Sequence, residues 1–387
     1  MMNMKVAIDN GNSEQKMFLT TDGKETQRVL APNVFARQTS LPNMDEVPIS
    51  ILDTIHEHLI ASVEGQLYYI GRHALDSGAR CHCVQVGTQN DKSTSQIVFV
   101  NTLAHIAGEA VARAYAEQKT LPETLAVHVD MATALPVSYY SAEKAHFFER
   151  RFTGHNHSVI LYVGSHQVPV SITFDFVKVI PEGVTAAHAF SKCPEVFASY
   201  NEAHPDTPVD LEAIGKQRIL HVAIGEGTTE FPITKGIVFK PDFIDGSENG
   251  IGHAIDRVLI PFKREFGLMK LTRQDYAKIM RTPSHKYHDD AMSLIETALR
   301  DEAEDILEMA EMVIQKANNE VDVVAVYGGG SIFLRPALEK PLQVFCDRAR
   351  IQLVYIEDEE DAVWMEAYGL EAFLKSKLFE NLKKQAA

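Results

Sequence analysis

The sequence is short of the residues that would indicate a disulfide framework or a zinc module. It has only four cysteines among 387 residues. Cys193 and Cys346 are isolated, which is typical of small core residues. Cys81 and Cys83 flank His82, but no second ligand pair follows at zinc spacing. We therefore predict ordinary packing for these side chains and no metal site there.

Positive charge and long apolar runs are also scarce. Lys and Arg number 37 against 53 Asp and Glu, so the formal net charge is -16. This balance argues against sequence-independent binding of nucleic acid, which needs a basic face. No apolar run reaches the length of a membrane span, and the opening "MMNMKVAIDNGNS" lacks a signal-peptide pattern. We expect a cytoplasmic protein with no membrane partner.

What the sequence does contain is an alternation of strand and helix patterns over a length sufficient for two or three domains. Helical periodicity predicts helices at about 252–266, 289–318 and 362–384. A pattern of strand, glycine turn and strand occurs at 9–13 and again at 225–229. This recurrence predicts an α/β protein with two similar halves that face one ligand.

The first of these turns, "IDNGNSEQK", combines an acid, hydrogen-bond donors and a lysine. Asp9 ends a predicted strand, while Gly11, Asn12 and Ser13 offer N–H and hydroxyl donors to a phosphate. Lys16 adds a point charge for β- or γ-phosphate oxygens. A tight hairpin without a ligand is the alternative, since Asn-Gly is itself a strong hairpin signal.

The second turn lies in "RILHVAIGEGTTEFPI" and has the glycines of a phosphate loop. Gly225 and Gly227 let the backbone approach a ligand closely, and Thr228 and Thr229 follow. A loop of this kind needs an acid nearby to hold magnesium. Ala223 stands at the strand end where such an acid would be expected.

A third glycine segment, "YGGGSIF", follows the β-branched run that ends at Tyr327. Gly328, Gly329 and Gly330 would let the backbone pass close to a flat or phosphorylated ligand. Ser331 is a candidate N-cap for the next helix. A flexible strand-to-helix turn is the alternative interpretation.

Glu182, in "VIPEGVTAA", precedes a predicted helix. A carboxylate there can simply complement the helix dipole. It can also orient the water that attacks a γ-phosphate. The local sequence does not decide between these two roles.

In order along the chain, "VAIDNGNSEQK", "MATALPVSYY", "VKVIPEG", "VAIGEGTTEF", "VVAVYGGGS" and "EDAVWMEAYGLEAFL" resemble the actin-like ATPases. The likeness is closest to the bacterial plasmid-segregation (ParM/StbA-like) branch. The resemblance implies an actin-like fold with two RNase H-like domains around a nucleotide cleft. Domain I would comprise 1–180 together with the returning segment 350–387, and domain II would comprise 181–349.

The resemblance also implies roles for individual residues. Asp9 would hold hydrated magnesium, and Asp9 and Glu182 would be the catalytic residues, with Glu182 positioning the attacking water. ATP or GTP would be bound by Gly11, Asn12, Ser13, Lys16, Gly225, Glu226, Gly227, Thr228, Thr229, Gly328, Gly329, Gly330 and Ser331. The protein would form filaments with itself and would reach plasmid DNA only through a centromere-binding adaptor.

The chain departs from the family pattern at Ala223, where the family has an aspartate. His221 shares the strand face but is a poor magnesium ligand, and Glu226 in the turn is a partial substitute. The intact state of the other motifs favours an engineered change that blocks hydrolysis, and natural rearrangement of magnesium binding is the alternative. Reduced hydrolysis is the expected consequence. A catalytically dead polymerising scaffold and a non-polymerising, small-molecule kinase-like member of the superfamily remain alternatives.

Overall fold

The computed structural model describes residues 1–21, 23–42, 48–84, 91–240 and 245–386. Within these ranges the chain builds two mixed β-sheets, one from each half of the sequence, with helices packed on them. No helix in the described ranges is both long and apolar enough to cross a membrane.

The first sheet uses the strands that precede residue 182. They are β1 (Met2–Asn10), β2 (Glu14–Thr21), β3 (Gln27–Pro32), β4 (Val34–Gln38), β5 (Ile60–Val63), β6 (Gln66–Ile70), β7 (His82–Cys83), β8 (Leu125–Leu135), β9 (His157–Val163) and β10 (His166–Pro181). Their order across the sheet is β3-β2-β1-β8-β10-β9-β5-β6-β4-β7. β1, β8 and β10 run parallel, and the hairpin β1–β2 is antiparallel.

The second sheet repeats this plan with a hairpin followed by parallel strands. Its strands are β11 (Arg218–Ile224), β12 (Thr229–Glu230), β13 (Ile233–Lys235), β14 (Val238–Phe239), β15 (Gly246–Ser247), β16 (Val323–Tyr327) and β17 (Gln352–Tyr355). β11 pairs with β12 and β13 along one edge and with the parallel strand β16 along the other. The predicted similarity of the two halves is therefore present in the sheet topology.

The helices follow the strands in both halves. They are α1 (Gly71–Asp76), α2 (Gln96–Gln118), α3 (Ala142–Thr153), α4 (Val184–Lys192), α5 (Ala198–Ala203), α6 (Leu211–Ile214), α7 (Ile251–Phe266), α8 (Arg273–Arg281), α9 (His288–Lys316), α10 (Gly329–Ala349), α11 (Glu359–Leu374) and α12 (Lys377–Ala386). Three 3₁₀ segments lie at Ile49–Glu57, Val137–Tyr139 and Pro194–Phe197.

Each sheet is buried on both faces because its central strands alternate between two cores. In β1, Val6 and Ile8 enter the core shared with α2 and α3, while Ala7 faces α11. In β11, Val222 packs toward α7, α9 and α10, whereas Ala223 faces α4 and α11. Helices α4 and α11 pack against each other and therefore connect the two sheets.

The C-terminal region differs from the prediction in two ways. The segment 350–387 was predicted to return to the first domain, but β17 pairs with β16 in the second sheet. Only the chain after β17 returns, with α11 packed on β1 and β8. The single helix predicted at 362–384 is also interrupted after Lys375, where the Ser376 hydroxyl accepts from the Phe379 amide and starts α12. The domain boundaries themselves stay a prediction.

Candidate functional site

The three glycine segments meet in one cavity of about 370 Å³ between the two halves of the chain. This follows from topology, because each segment lies at the end of a central strand where the parallel strands of its sheet terminate. The predicted residues that line the cavity are Asp9, Gly11, Asn12, Ser13, Lys16, Glu182, Gly225, Glu226, Gly227, Thr228, Gly328, Gly329 and Gly330.

In the first segment the acid and the lysine form an ion pair. Asp9 and Lys16 are register partners in the β1–β2 hairpin, and Lys16 Nζ lies 3.0 Å from Asp9 Oδ2. Burial lowers the pKa of Lys16, but Asp9, Glu14 and Glu182 raise it, and the net shift is upward. The ammonium therefore stays charged and available to a phosphate at neutral pH.

The second segment sits on the start of α7. Gly225 N–H donates to the Thr228 carbonyl at 2.9 Å, and the amide of Gly252 donates to the Glu226 carbonyl at 2.7 Å. The Glu226 carboxylate crosses the cavity, accepts from the Ser13 hydroxyl and lies 3.5 Å from Arg273. Since a guanidinium already neutralises Glu226, this residue is poorly suited to be the free acid missing at position 223.

In the third segment, the backbone packs directly against the backbone of the second segment. Gly328 has φ +99°, and a side chain there would overlap the carbonyl of Ile224. A Cβ at Gly330 would lie 2.7 Å from the carbonyl oxygen of Gly225. The second and third segments therefore require glycine in order to pack side by side at the cavity wall.

Glu230 is the acid that the sequence motif did not reveal. It is the register partner of Ala223 in the β11–β12 pair, so both side chains leave the same face of the sheet. Glu230 is 1% exposed and lines the cavity, and neither carboxylate oxygen makes a hydrogen bond of ordinary geometry. Burial, then the charge of Glu182, raises the pKa of Glu230 to about 8, while Thr228 and Lys92 oppose the shift.

Glu182 is held at the same end of the cavity by a second lysine. Its amide donates to the Leu135 carbonyl at 2.8 Å, and Lys92 Nζ donates to its carboxylate at 2.6 Å. Burial raises the pKa of Glu182, and the ammonium of Lys92 lowers it. The charge of Asp9 raises the pKa further, so the net shift is upward. Lys92 was missed because its contact with Glu182 spans 90 residues and belongs to no local motif.

A further acid, Glu366, enters the cavity from α11. Its carboxylate accepts from the Gly183 amide at 3.0 Å and from the Thr185 hydroxyl. Burial, then the charges of Asp9 and Glu182, raises the pKa of Glu366 well above its usual value. Glu366 fixes the turn that follows Glu182. The sequence feature that could have revealed it is a carboxylate between two apolar residues, Met365 and Ala367, which are both buried.

The acids and lysines described above form the charged end of the cavity, and apolar side chains line other parts of its wall. Phe333, Ile251, Ile255, Val363 and Leu75 contribute to this wall together with Arg281. The Arg281 guanidinium lies 5.6 Å from the centre of the Phe333 ring. Apolar surface beside a guanidinium suits a planar aromatic group, so the same cavity offers groups for charged oxygens and for a flat ring.

Two predicted nucleotide-binding residues do not line the cavity. The Thr229 hydroxyl donates to the Asn249 carbonyl at 2.7 Å, and the buried Ser331 hydroxyl donates to the Gly328 carbonyl at 2.8 Å. Ser331 is also not the N-cap, because α10 already begins at Gly329 and Gly328 occupies the capping position. His221 is buried in the core, where its Nε2 contacts the Thr234 hydroxyl at 3.0 Å.

A cleft between two topologically similar α/β halves, with glycine loops from both, is the architecture of the actin-like fold. Residues 7–184 match the family described as actin-like proteins, N-terminal domain, and residues 221–340 match the C-terminal domain of archaeal, MreB-like actin homologues. These two matches confirm the predicted resemblance to the actin-like proteins and the predicted fold. A search of curated protein sequences found no match.

Solved structures agree with this assignment over nearly the whole chain. The actin-like protein Alp7A has 16% identity and a TM-score of 0.69, with 100% of this chain and 98% of that chain covered. ParM from Bacillus thuringiensis, solved with ATP, has 16% identity and a TM-score of 0.60, with 98% and 99% covered. The archaeal actin homologue Ta0583 in complex with ADP has 17% identity and a TM-score of 0.59, with 96% and 99% covered.

Proposed function

We propose that this chain is a nucleotide-dependent, filament-forming actin-like ATPase that segregates plasmid DNA through an adaptor protein. The observation that carries the proposal is the meeting of all three glycine segments with Asp9, Lys16 and Glu182 in one cavity. Related proteins solved with ATP, ADP and AMPPNP support a nucleotide as the ligand. The net charge of -16 supports contact with DNA through a separate, basic partner.

The nucleotide would lie with its phosphates at the charged end of the cavity and its base toward Phe333. Lys16 and the amides of the first two loops are positioned to bind phosphate oxygens. ATP and GTP are both candidates, because the sequence motifs of the cavity contain no residue type that reads one base uniquely.

The residues at the charged end also fit a magnesium ion, which the family uses. Magnesium prefers oxygen ligands, and the orphaned carboxylate of Glu230 and the carboxylate of Asp9 both face the cavity. We infer that Glu230 supplies the carboxyl group that the family places at position 223, and a bound magnesium ion would favour its ionised form over the neutral form that burial favours. When bound, the ion would neutralise charge that develops on the phosphates.

Glu182 is the proposed positioning residue for the attacking water. Its carboxylate is held by Lys92. A triphosphate competes for that ammonium, because charge-assisted contacts to phosphate are strong. Release of Lys92 would leave Glu182 free to accept a hydrogen bond from water beside the terminal phosphate.

A polymerising scaffold without turnover is the second candidate, and Ala223 is the observation that favours it. Pelleting and light scattering with ATP, GTP and ADP in the presence of magnesium, with phosphate release followed in parallel, separate the possibilities. Assembly with phosphate release supports the ATPase, and assembly without release supports the scaffold. A chain that stays monomeric with every nucleotide excludes both and leaves the kinase-like alternative.

A further inference from the structure

A second constellation of metal-binding side chains lies in the first half of the chain, outside the nucleotide cavity. Glu64 occupies the turn between β5 and β6. His157 is the first residue of β9, and His155 lies two residues before it. Their candidate ligand atoms all lie within 4.8 Å of one another. His157 Nδ1 is 3.2 Å and His155 Nε2 is 3.9 Å from Glu64 Oε1.

These separations match the ligand spacing of a tetrahedral zinc ion. With metal–ligand bonds of about 2.0 to 2.1 Å, neighbouring ligands of a tetrahedral site lie about 3.3 Å apart. The two measured distances to Glu64 Oε1 fall on either side of this value. Two imidazoles and one carboxylate also form a known zinc ligand set that leaves a fourth position open.

The orientation of His157 provides an independent argument. Its Nε2 lies 2.8 Å from the carbonyl oxygen of Phe152, and a carbonyl only accepts, so Nε2 carries the proton. In the neutral ring Nδ1 is then a bare lone pair, yet it faces the carboxylate of Glu64. Two acceptors this close need either a proton or a metal ion between them.

A second proton on His157 would make the contact an ordinary ion pair, whereas a metal ion would bind both atoms. The side chain of His157 is 0% exposed, and the Phe152 contact of Nε2 fixes the ring with Nδ1 toward Glu64. The Phe152 hydrogen bond is also the outer contact that metal-bound histidines commonly make. The amide of Ser158 likewise orients Glu64, at 3.3 Å from its Oε1.

The backbone conformation of the turn at Glu64 is a further argument that the glutamate side chain has a specific role there. Glu64 and Gly65 have φ +49° and +82°, as in a two-residue type I′ turn. Such turns favour asparagine, aspartate or glycine at the first position. This chain instead uses glutamate, whose side chain reaches from the end of β5 to the histidines at the start of the neighbouring strand β9.

We propose that Glu64, His155 and His157 bind one zinc ion that clamps the β5–β6 turn to the start of β9. The site is separate from nucleotide binding and does not depend on the proposed ATPase function. Its fourth position is open to water.

The test is calorimetric titration of ZnCl2 into the full chain, prepared without a histidine tag, stripped of metal and free of nucleotide. We expect one zinc ion per chain at this site. Because loss of even an outer partner weakens metal binding about 10–100-fold, His155→Ala should weaken this binding about 100-fold or more. His155 is 61% exposed in its side chain, so the substitution should not disturb folding.

Glu64→Gln should also weaken zinc binding, while its amide oxygen can still accept from Ser158. The matched control is His128→Ala, which breaks another His–carboxylate contact of the first half, with Asp175 at 2.8 Å. Zinc should raise Tm for the wild type and His128→Ala but not for His155→Ala. If the wild type takes up no zinc, or if His155→Ala binds it equally well, the contact is an ion pair only and the proposal is wrong.

Discussion

At the scale of single residues, we infer that a carboxyl group on the neighbouring strand takes the place of the acid missing at Ala223. Ala223 and Glu230 are register partners, so a carboxylate on β12 enters the space beside the one missing from β11. Glu226, the substitute considered from the sequence, is already engaged by Ser13 and Arg273. Among the described residues, the oxygens of Glu230 make no hydrogen bond of ordinary geometry, so Glu230 is the better candidate.

The first prediction concerns Glu230→Gln, which preserves size and removes the carboxyl group that a magnesium ion would bind in its ionised form. Phosphate release should fall about 10–100-fold, the usual effect of losing a group that supports a metal. Nucleotide binding should change little, since Lys16 and the backbone donors remain. Glu302→Gln is the matched control, because Glu302 is also a buried glutamate of the second half but does not line the cavity.

A rescue experiment sharpens this prediction. Ala223→Asp in the Glu230→Gln background should restore much of the phosphate release, because it returns a carboxylate to the adjacent strand position. The same change in the wild type should have a smaller effect. If Ala223→Asp alone raises phosphate release strongly and Glu230→Gln does nothing, Glu230 has no such role and the chain lacks the acid.

The second prediction concerns His221 and acid stability. Burial lowers the pKa of His221 from 6.5 to about 3. The unfolded chain therefore binds a proton as the pH falls below 6.5, whereas the folded chain does not, and stability is lost in the window from about 6.5 down to 3. Between pH 6.5 and 5 this single group removes roughly 2 kcal/mol, at about 1.4 kcal/mol per pH unit.

Urea unfolding of His221→Gln at pH 7 and pH 5 tests whether His221 causes this loss of stability at low pH. The glutamine amide can still donate to Thr234, and the difference in unfolding free energy between the two pH values should be smaller than in the wild type. His166→Gln, at an exposed position of β10, should retain the wild-type difference. An unchanged difference for His221→Gln would mean that other groups set the acid sensitivity.

At the scale of elements, site residues that lie in one contiguous motif could be predicted from the sequence, whereas site residues that only the fold brings together were missed. The loops at Asp9, Gly225 and Gly328 are contiguous motifs whose glycines are required by nearby backbone, so pattern and chemistry coincide. Lys92 lies just before α2 and Glu366 lies in α11, and both line the cavity although they are distant from Glu182 in the sequence. Only the fold brings them to Glu182, and no spacing rule connects them in advance.

The third prediction concerns the packing of α11 on α4, which joins the two halves. A Cβ at Gly369 would overlap the carbonyl oxygen of Thr185. Glycine to alanine inside a helix normally stabilises by about 1 kcal/mol. Here Gly369→Ala must instead push two backbones apart, so we expect destabilisation of at least 1–3 kcal/mol.

The displaced helix should also shift Glu366 and the turn at Glu182, so phosphate release should fall together with stability. Gly108→Ala in α2 is the comparison, because its Cβ would meet the Leu59 side chain at 2.8 Å, and a side chain can move. Urea midpoints should fall much less for Gly108→Ala. Equal midpoints for the two variants would show that the α4–α11 contact adjusts freely.

At the scale of the whole molecule, the cavity is closed by contacts that join its two halves. The Ser13 hydroxyl on the first loop donates to Glu226 on the second. If the phosphates bind between the loops as proposed, they would compete for this contact and change the separation of the two halves. In the proposed filament, this would be a route by which nucleotide alters the surfaces that meet between subunits.

The last prediction follows from the net charge of -16, which every subunit of a filament carries. Bringing such subunits together raises their mutual repulsion, and salt screens it over a Debye length that falls from about 30 Å at 0.01 M to about 8 Å at 0.15 M. The critical concentration for assembly should therefore fall by at least about twofold across this range. It is measured as the protein left in the supernatant after pelleting with magnesium and nucleotide. Sodium chloride and potassium glutamate at matched ionic strength should act alike if screening is the cause. A critical concentration that rises with salt would show instead that attractive ion pairs between subunits outweigh the repulsion of their net charges.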